Sequence, residues 1–191
     1  MLIAACGELL SREVDAVTIA PPEDTPLGEL AGTVRGMARA YADDGVTFFK
    51  GGDLVNALAA YYYGHGWLHF GLAYGLLCAE KKPACPFFGP VETLSPYLAA
   101  RLDEKTRRYD RLLTTALRSV VPAPEPETAG GMFARRVNAI SACYSQAGQG
   151  SLLSGAEEEA LAYFSYGHGW LDAGVRAGLF ALAGNREIFT I

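Results

Sequence analysis

Three histidines and one aspartate are spaced so that their side chains could share a ligand. His65 and His69 are four residues apart, and so are His168 and Asp172. Side chains at this spacing lie on the same face of a helix. Imidazole nitrogens and carboxylate oxygens are donors that zinc takes from proteins, usually four at a time. If the two helix faces converge, these four residues would therefore form one zinc site.

A competing interpretation needs no metal. His168 can bond to Asp172 or Ser165 within its own helix, and Asp172 can pair with Arg176 one turn further on. His65 can satisfy a carbonyl group in the core. We predict this second arrangement, with no metal and no cofactor, and the shared zinc site stands as the alternative.

The helices that must position these residues belong to a segment that occurs twice in the sequence. The string at 63–68 returns at 166–171, so that His168 follows His65 by 103 positions. The same offset pairs identical residues far upstream, namely Leu9, Val17, Pro21, Thr25, Val34 and Tyr41 with their second-half counterparts. Self-similarity over such a length indicates a tandem repeat of one structural unit.

Each unit is predicted to contain three helices and no sheet. The helices are expected at 7–18, 27–43 and 53–79 in the first copy, and at 96–121, 132–147 and 157–183 in the second. Gly45 and Gly148 are expected to end the second helix of each copy in the left-handed conformation. The sequence thus predicts an all-α fold of two homologous three-helix units, at 1–80 and 96–191, joined by a proline-rich linker at 81–95.

The third helix of each unit, which carries the repeated string, is called the motif helix. Its glycines at positions such as Gly64 and Gly71 form a stripe of small residues, and such stripes allow close approach of another helix. We expect the two motif helices to pack against each other along this stripe across a pseudo-two-fold axis, as in a homodimer of single units. Gly66 and Gly169 are expected on the outer face. The aromatic residues of the motif helix are expected in the core.

Composition argues against several classes of function. There are 16 Lys and Arg against 21 Asp and Glu, and the net charge is −5. The basic residues at 105–111 are interrupted by acids, so no nucleic-acid partner is expected. The apolar run at 54–78 contains histidines and four glycines, and its copy is charged, so a buried helix is expected and no membrane span. The N-terminus lacks a secretory signal, which favours a cytoplasmic protein.

The motif helix resembles a known family. The pattern F-x-x-G-D, followed by A-L-A-x-x-x-Y-G-H-G-W-L-D-A-G-x-R-x-G-L, is similar to that of the archaeal family called domain of unknown function 357. The second copy fits best, over 160–179. The first copy has His69 in place of the aspartate and Ala73 in place of the arginine. The resemblance implies a small helical bundle of archaeal origin with no assigned activity.

A weaker likeness is to the nucleotide-binding helical bundles of the HEPN type. These also show a glycine–aspartate turn, an alanine-rich helix and a run of tyrosines, as at 49–53 and 61–63 here. Nucleases of that type rely on an arginine a few residues before a histidine on one helix. None of the three histidines of this sequence has such an arginine, which argues against nuclease action.

The sequence therefore favours a non-enzymatic binding or assembly module. Its candidate ligand-binding residues are His168, Asp172, Arg176, His65, His69, Tyr63 and Tyr166. The alternative is a metal- or nucleotide-binding enzyme, which requires a concave pocket holding both histidine faces. No common catalytic motif, such as G-x-S-x-G or H-E-x-x-H, is present in the sequence. Partners are not indicated; fusion of the two units favours a monomer, and a homodimer is the alternative.

Overall fold

The chain forms three α-helices in each half, as predicted from the repeat. In the computed structural model, which describes residues 1–87 and 89–190, the helices are α1 (Ile3–Ala16), α2 (Pro26–Lys50), α3 (Leu54–Tyr74), α4 (Ala99–Ser119), α5 (Ala129–Leu153) and α6 (Glu157–Arg176). The motif helices are α3 and α6. They pack against each other at the centre, with α2 beside α3 and α5 beside α6. The predicted all-α bundle of two homologous units is confirmed.

Start and stop signals in the sequence account for several helix ends. The Thr25 hydroxyl accepts a hydrogen bond from the backbone N–H of Gly28 at 3.1 Å and caps α2. The Asp53 carboxylate caps α3 in the same way through the N–H of Asn56, at 3.2 Å. Gly75 then ends α3 with a φ of 80°, in the left-handed region that glycine adopts without steric cost.

The prediction that Gly45 and Gly148 end their helices is wrong. Both helices run on past these residues, to Lys50 and Leu153. A Cβ atom at Gly45 would collide with the ring of Tyr61, and one at Gly148 with the ring of Phe164. These glycines therefore give room for an aromatic ring of the motif helix, and they do not serve as a turn.

The prediction that the units contain no sheet is wrong in one respect, because two short antiparallel ribbons tie the ends of the helices together. Strand β1 (Thr18–Ile19) pairs with β2 (Leu77–Cys78), and β3 (Val120–Pro122) pairs with β4 (Phe180–Leu182). In each unit, the residues after the first helix thereby bond to the residues after the motif helix. The two ribbons obey the same repeat as the helices, so the duplication extends to these connections.

The motif helices cross at Gly66 and Gly169, which the sequence analysis placed on the outer face. A Cβ atom on Gly66 would lie 2.6 Å from the carbonyl oxygen of Tyr166 and 3.0 Å from the Cα atom of Gly169. Gly169 is packed reciprocally against the carbonyl oxygen of Tyr63 and the Cα atom of Gly66. The predicted contact across a pseudo-two-fold axis is present, but different glycines make it.

The stripe of small residues packs within its own unit. A Cβ atom on Gly64 would meet side-chain atoms of Leu10 and Tyr41, and one on Gly71 would meet Leu77 and Val34. The motif helix thus has glycines on two faces. One face packs closely against the second helix of the same unit, and the other packs against the motif helix of the second unit. This double packing buries α3 nearly all round. No helix in the described ranges is long and apolar enough to cross a membrane.

Candidate functional site

Two polar pairs link the units across the helix crossing. The Tyr63 hydroxyl donates a hydrogen bond to the carboxylate of Asp172. At the counterpart positions, the Tyr166 hydroxyl lies 2.8 Å from Nδ1 of His69. The tyrosine of each motif helix therefore forms a hydrogen bond with the other motif helix. The bonded residue there follows the histidine of the Tyr-Gly-His-Gly-Trp-Leu string by four positions. Each unit completes the polar site of its neighbour.

Asp172 is fully buried, and its oxygens are satisfied. Besides the Tyr63 hydroxyl, it accepts the backbone N–H of Thr190 at 2.9 Å on Oδ1 and 3.2 Å on Oδ2. Burial and the adjacent carboxylate raise the pKa of Tyr63 well above its ordinary value, so this tyrosine keeps its proton and acts as a donor. Arg176 is exposed and forms no ion pair with Asp172 within the described part of the chain.

His168 lies beside this carboxylate in a mostly aromatic setting. Its ring is edge-on to Tyr63, with ring centroids 5.6 Å apart, and faces Phe189 of the C-terminal segment at 6.5 Å. Burial lowers the pKa of His168, while the Asp172 carboxylate and the backbone of Ile188 oppose that shift. His168 is therefore neutral at pH 7 and takes part in the core of the second unit.

The free energy of unfolding should fall as the pH drops below about 6.5, the pKa of histidine in an unfolded chain. The folded His168 has a lower pKa, so the unfolded state takes up the proton first and acid favours unfolding. A buried histidine of this kind adds a slope of up to about 1.4 kcal/mol per pH unit between the two pKa values. Urea titrations between about pH 7 and about pH 5 should therefore show a smaller loss for His168→Asn than for the wild type. Equal losses would contradict the assignment.

A second polar cluster lies in the first unit and joins α1 to α3. The carboxylate oxygen Oε2 of Glu13 is 3.9 Å from Nδ1 of His65 and 4.0 Å from Nε2 of His69. One donor atom from each of the three residues lies within 4.8 Å of the other two. Two imidazoles and one carboxylate thus face a common point.

The atoms of this cluster lack the hydrogen bonds that buried polar groups normally have. His65 is fully buried, and neither of its ring nitrogens has a hydrogen-bond partner among the described residues. The same holds, in residues 1–87 and 89–190, for Nε2 of His69 and Oε2 of Glu13. Burial of an unpaired polar group costs on the order of 1–3 kcal/mol. A bound cation would supply the missing interactions of three of these atoms at once.

The charge states of the cluster suit a cation. Burial, together with the neighbouring His69, lowers the pKa of His65 to about 3, and the nearby backbone of Cys6 opposes that shift. Burial also lowers the pKa of His69 to about 4, so both imidazoles are neutral at pH 7 and present lone pairs. Burial raises the pKa of Glu13, but the N–H of Ala84 and the charge of Arg12 oppose that effect. The neutral imidazole and the carboxylate are the forms that bind metals.

Glu13 was not among the residues selected from the sequence. It lies beside Leu10 and Val14 on the buried face of α1, where a carboxylate is out of place. Its counterpart in the second unit is Ala116, so the copies differ there as they do at His69 and Asp172. Glu13 could have been selected from the sequence by two signals. It is an acidic residue on an apolar helix face, and the two copies differ at its position.

The four residues of the zinc site considered in the sequence analysis, His65, His69, His168 and Asp172, lie in two separate places in the structure. His65 and His69 lie together beside Glu13, and the cluster of potential ligands found among the described residues includes neither His168 nor Asp172. His168 instead lies against the C-terminal segment, and Asp172 bonds to Tyr63. The reason is the crossing at Gly66 and Gly169, which the sequence analysis placed on the outer face. The concave pocket holding both histidine faces, required by the enzyme alternative, is therefore not formed by these residues.

Each polar site is covered by a segment that follows the last strand of its unit. In the first unit, the backbone N–H of Ala84 donates to Oε1 of Glu13 at 2.7 Å. In the second unit, Thr190 covers Asp172 through its own N–H. The two covering segments occupy corresponding positions in the repeat. The chain satisfies the Asp172 carboxylate of the second site and leaves Nε2 of His168 unpaired among the described residues, whereas the first site keeps several unpaired atoms that face a common point.

The fold and its sites define a duplicated helical protein with one buried polar site in each unit. The sequence model of the family described as Protein of unknown function (DUF357) matches residues 7–77 and 108–180, once in each unit. The two matches span more than half of the chain, which therefore belongs to this family. Comparison with curated proteins and with solved structures gave no match. The covering segments at 84–87 and 188–190 lie outside both matched regions.

Proposed function

We propose that the protein is a non-enzymatic binding module whose ligand is a divalent metal ion of the zinc type. Glu13, His65 and His69 are the protein ligands. The observation that carries the proposal is the convergence of three buried donor atoms that have no other partner in the described chain. The proposal keeps His65 and His69 of the four-residue zinc site considered from the sequence and puts Glu13 in the place of His168 and Asp172. It also replaces the expectation of a protein without a cofactor.

The donor set fits zinc in chemistry, and in geometry after a small movement. Zinc binds imidazole nitrogen and carboxylate oxygen at about 2.0–2.2 Å, so two ligand atoms of a tetrahedral site lie about 3.4 Å apart. The separations of 3.9 and 4.0 Å from Glu13 to the two histidines are larger. The Glu13 oxygen must therefore approach the two nitrogens by about half an ångström on binding, which rotation of its flexible side chain can supply. The two histidine donor atoms, which lie within 4.8 Å of each other, must approach by up to about 1.4 Å through rotation of their own side chains.

A partner from the second unit orients one ligand. In the tautomer that binds metal, Nδ1–H of His69 donates to the Tyr166 hydroxyl oxygen, which leaves the lone pair of Nε2 for the metal. Histidines that bind metals commonly have their other ring nitrogen fixed in this way, because the bond selects the tautomer and the ring orientation. Both units would thus contribute to a site whose direct ligands all belong to the first.

The test is a titration of the full-length protein, stripped of metal, with Zn²⁺ in a calorimeter. We expect one ion per chain, and we expect Glu13→Gln to weaken binding by at least about tenfold, because the neutral amide replaces an anionic ligand. Glu8→Gln on the same helix and His168→Asn in the other unit are matched controls, and both should bind like the wild type.

Two results would reject the proposal. One is the absence of Zn²⁺ uptake by the wild-type protein, with elemental analysis of freshly purified material showing no metal. The other is an equal loss of affinity in Glu13→Gln and in His168→Asn, which would show that binding depends on general stability and not on the cluster.

The proposal also covers the compartment, the source and the oligomeric state of the protein. All four cysteines are free thiols, as suits a reducing compartment such as the cytoplasm, and the family resemblance implies an archaeal source.

The motif helices already pair within one chain, which favours a monomer. Sedimentation or light scattering of the purified protein tests that state, and a dimer at micromolar concentration would contradict it.

A further inference from the structure

The linker is fastened over the proposed metal site on both sides of Cys85. On one side, the N–H of Ala84 donates to Glu13; on the other, the Tyr62 hydroxyl donates to the carbonyl oxygen of Pro86 at 3.0 Å. The ring of Phe87 stacks on Tyr163, with centroids 4.8 Å apart. The backbone of Cys85 is thereby held between two anchors, one of which is a proposed metal ligand.

Cys85 also shares a cleft with another proposed ligand. Cys85, His69, Tyr144 and Tyr166 line a cavity of about 390 Å³. The thiol lies outside the group of three donor atoms that approach each other within 4.8 Å. Binding of this thiol to the metal therefore requires a movement of Cys85 across the cleft that it shares with His69.

Three protein ligands leave a tetrahedral ion incomplete. Structural zinc sites have four protein ligands, while catalytic sites keep a position open to water. Here the free donor atoms of Glu13, His65 and His69 are all shielded from solvent, which favours a closed site. Charge favours the same conclusion: a divalent ion with one carboxylate keeps a net positive charge, and a thiolate would make this buried site neutral.

We propose that Cys85 is the fourth ligand, so that the bound ion fastens the linker to the first unit through a closed site of two histidines, one glutamate and one cysteine. This inference rests on the proposed metal site. On binding, the thiol releases its proton to solvent, and the sulfur lone pair bonds to the metal; no electron is transferred. A thiolate among the ligands selects zinc over magnesium or calcium.

The neighbouring cysteines are less suitable. Cys6 is buried in α1, where its thiol contacts Tyr62 and burial raises its pKa to about 12. Cys78 is exposed in β2, and Cys143 is exposed in α5 of the other unit. Cys85 is the exposed cysteine of the segment that already bonds to Glu13.

Cobalt binding tests the inference, because Co²⁺ replaces zinc and reports its ligands by absorption. The reduced full-length protein should take up one Co²⁺ per chain, with strong visible bands of tetrahedral cobalt and a near-ultraviolet band of thiolate-to-cobalt charge transfer. Cys85→Ser should lose the near-ultraviolet band and bind Zn²⁺ more weakly by at least about 100-fold. Cys78→Ser and Cys143→Ser should keep both properties.

The outcomes separate this inference from the proposal on which it depends. If the wild type binds Co²⁺ without the charge-transfer band, the metal site stands and Cys85 is not a ligand. If the band is lost in Cys6→Ser and kept in Cys85→Ser, the fourth ligand is Cys6, and the inference is again overturned. If no Co²⁺ or Zn²⁺ binds, both proposals are rejected.

Discussion

Gly66→Ala should destabilise the protein by about 3 kcal/mol, the upper end of the range for overpacking a well-packed core. The added methyl group would lie 2.6 Å from the carbonyl oxygen of Tyr166 and 3.0 Å from the Cα atom of Gly169. Both neighbours are backbone atoms, so no side-chain rotation can relieve the collision. The two motif helices would have to move apart, and the packing along their crossing would loosen. Urea denaturation of the variant and the wild type measures the effect.

Gly36→Ala is the matched control for that substitution. Gly36 is an exposed glycine within α2, and a Cβ atom there meets nothing within 4 Å. The same change should therefore stabilise the protein by up to about 1 kcal/mol, because alanine favours a helix over glycine. Opposite signs at the two positions would identify the helix crossing as the cause. A neutral effect of Gly66→Ala would mean that the motif helices are not in backbone contact.

Tyr166→Phe should weaken binding of Zn²⁺ by about 10- to 100-fold, although Tyr166 is not a proposed ligand. Removal of its hydroxyl leaves Nδ1 of His69 without the partner that lies at 2.8 Å in the structure. The imidazole can then change its tautomer or orientation, and Nε2 is no longer reserved for the metal. Calorimetric titration of the variant with Zn²⁺ measures the loss.

Tyr63→Phe makes the same chemical change at the counterpart position. It should leave Zn²⁺ affinity unchanged, because Tyr63 bonds to Asp172 and not to His69. It should instead lower the free energy of unfolding by about 1–3 kcal/mol, the cost of removing a donor from a buried acceptor. If both variants lost zinc affinity equally, the effect of Tyr166→Phe would reflect general loosening of the helix pair, and its orienting role would be rejected.

The fold could be predicted because the repeat gives two independent views of one unit. Thr25 and Asp53 cap the helices as their positions in the sequence suggest. The family match to both units confirms the duplication. The faces of the motif helix could not be assigned in the same way. When a helix is buried on every side, hydrophobic periodicity no longer distinguishes its neighbours, and the sequence analysis assigned the crossing to the face of Gly64 when Gly66 makes it.

The candidate site was harder to predict, because its parts are distant in sequence. Spacing within one helix correctly placed His65 and His69 side by side, since their rings are 5.7 Å apart. Glu13 is on another helix, and Ala84 is in the linker; neither has a local signal that connects it to the histidines. Their proximity depends on the packing of α1 against α3 and on the path of the linker, which only the tertiary structure provides.

The reciprocal tyrosine bonds have an evolutionary consequence. If a single unit once formed a symmetric dimer, each of its two polar sites was shared between subunits, and any mutation changed both sites together. Fusion into one gene removed that restraint. One copy could then have a carboxylate at Asp172 and the other an imidazole at His69, and Glu13 could differ from its counterpart Ala116. A symmetric ancestor could not have held two different sites; the fused chain can specialise one half while the other preserves the fold.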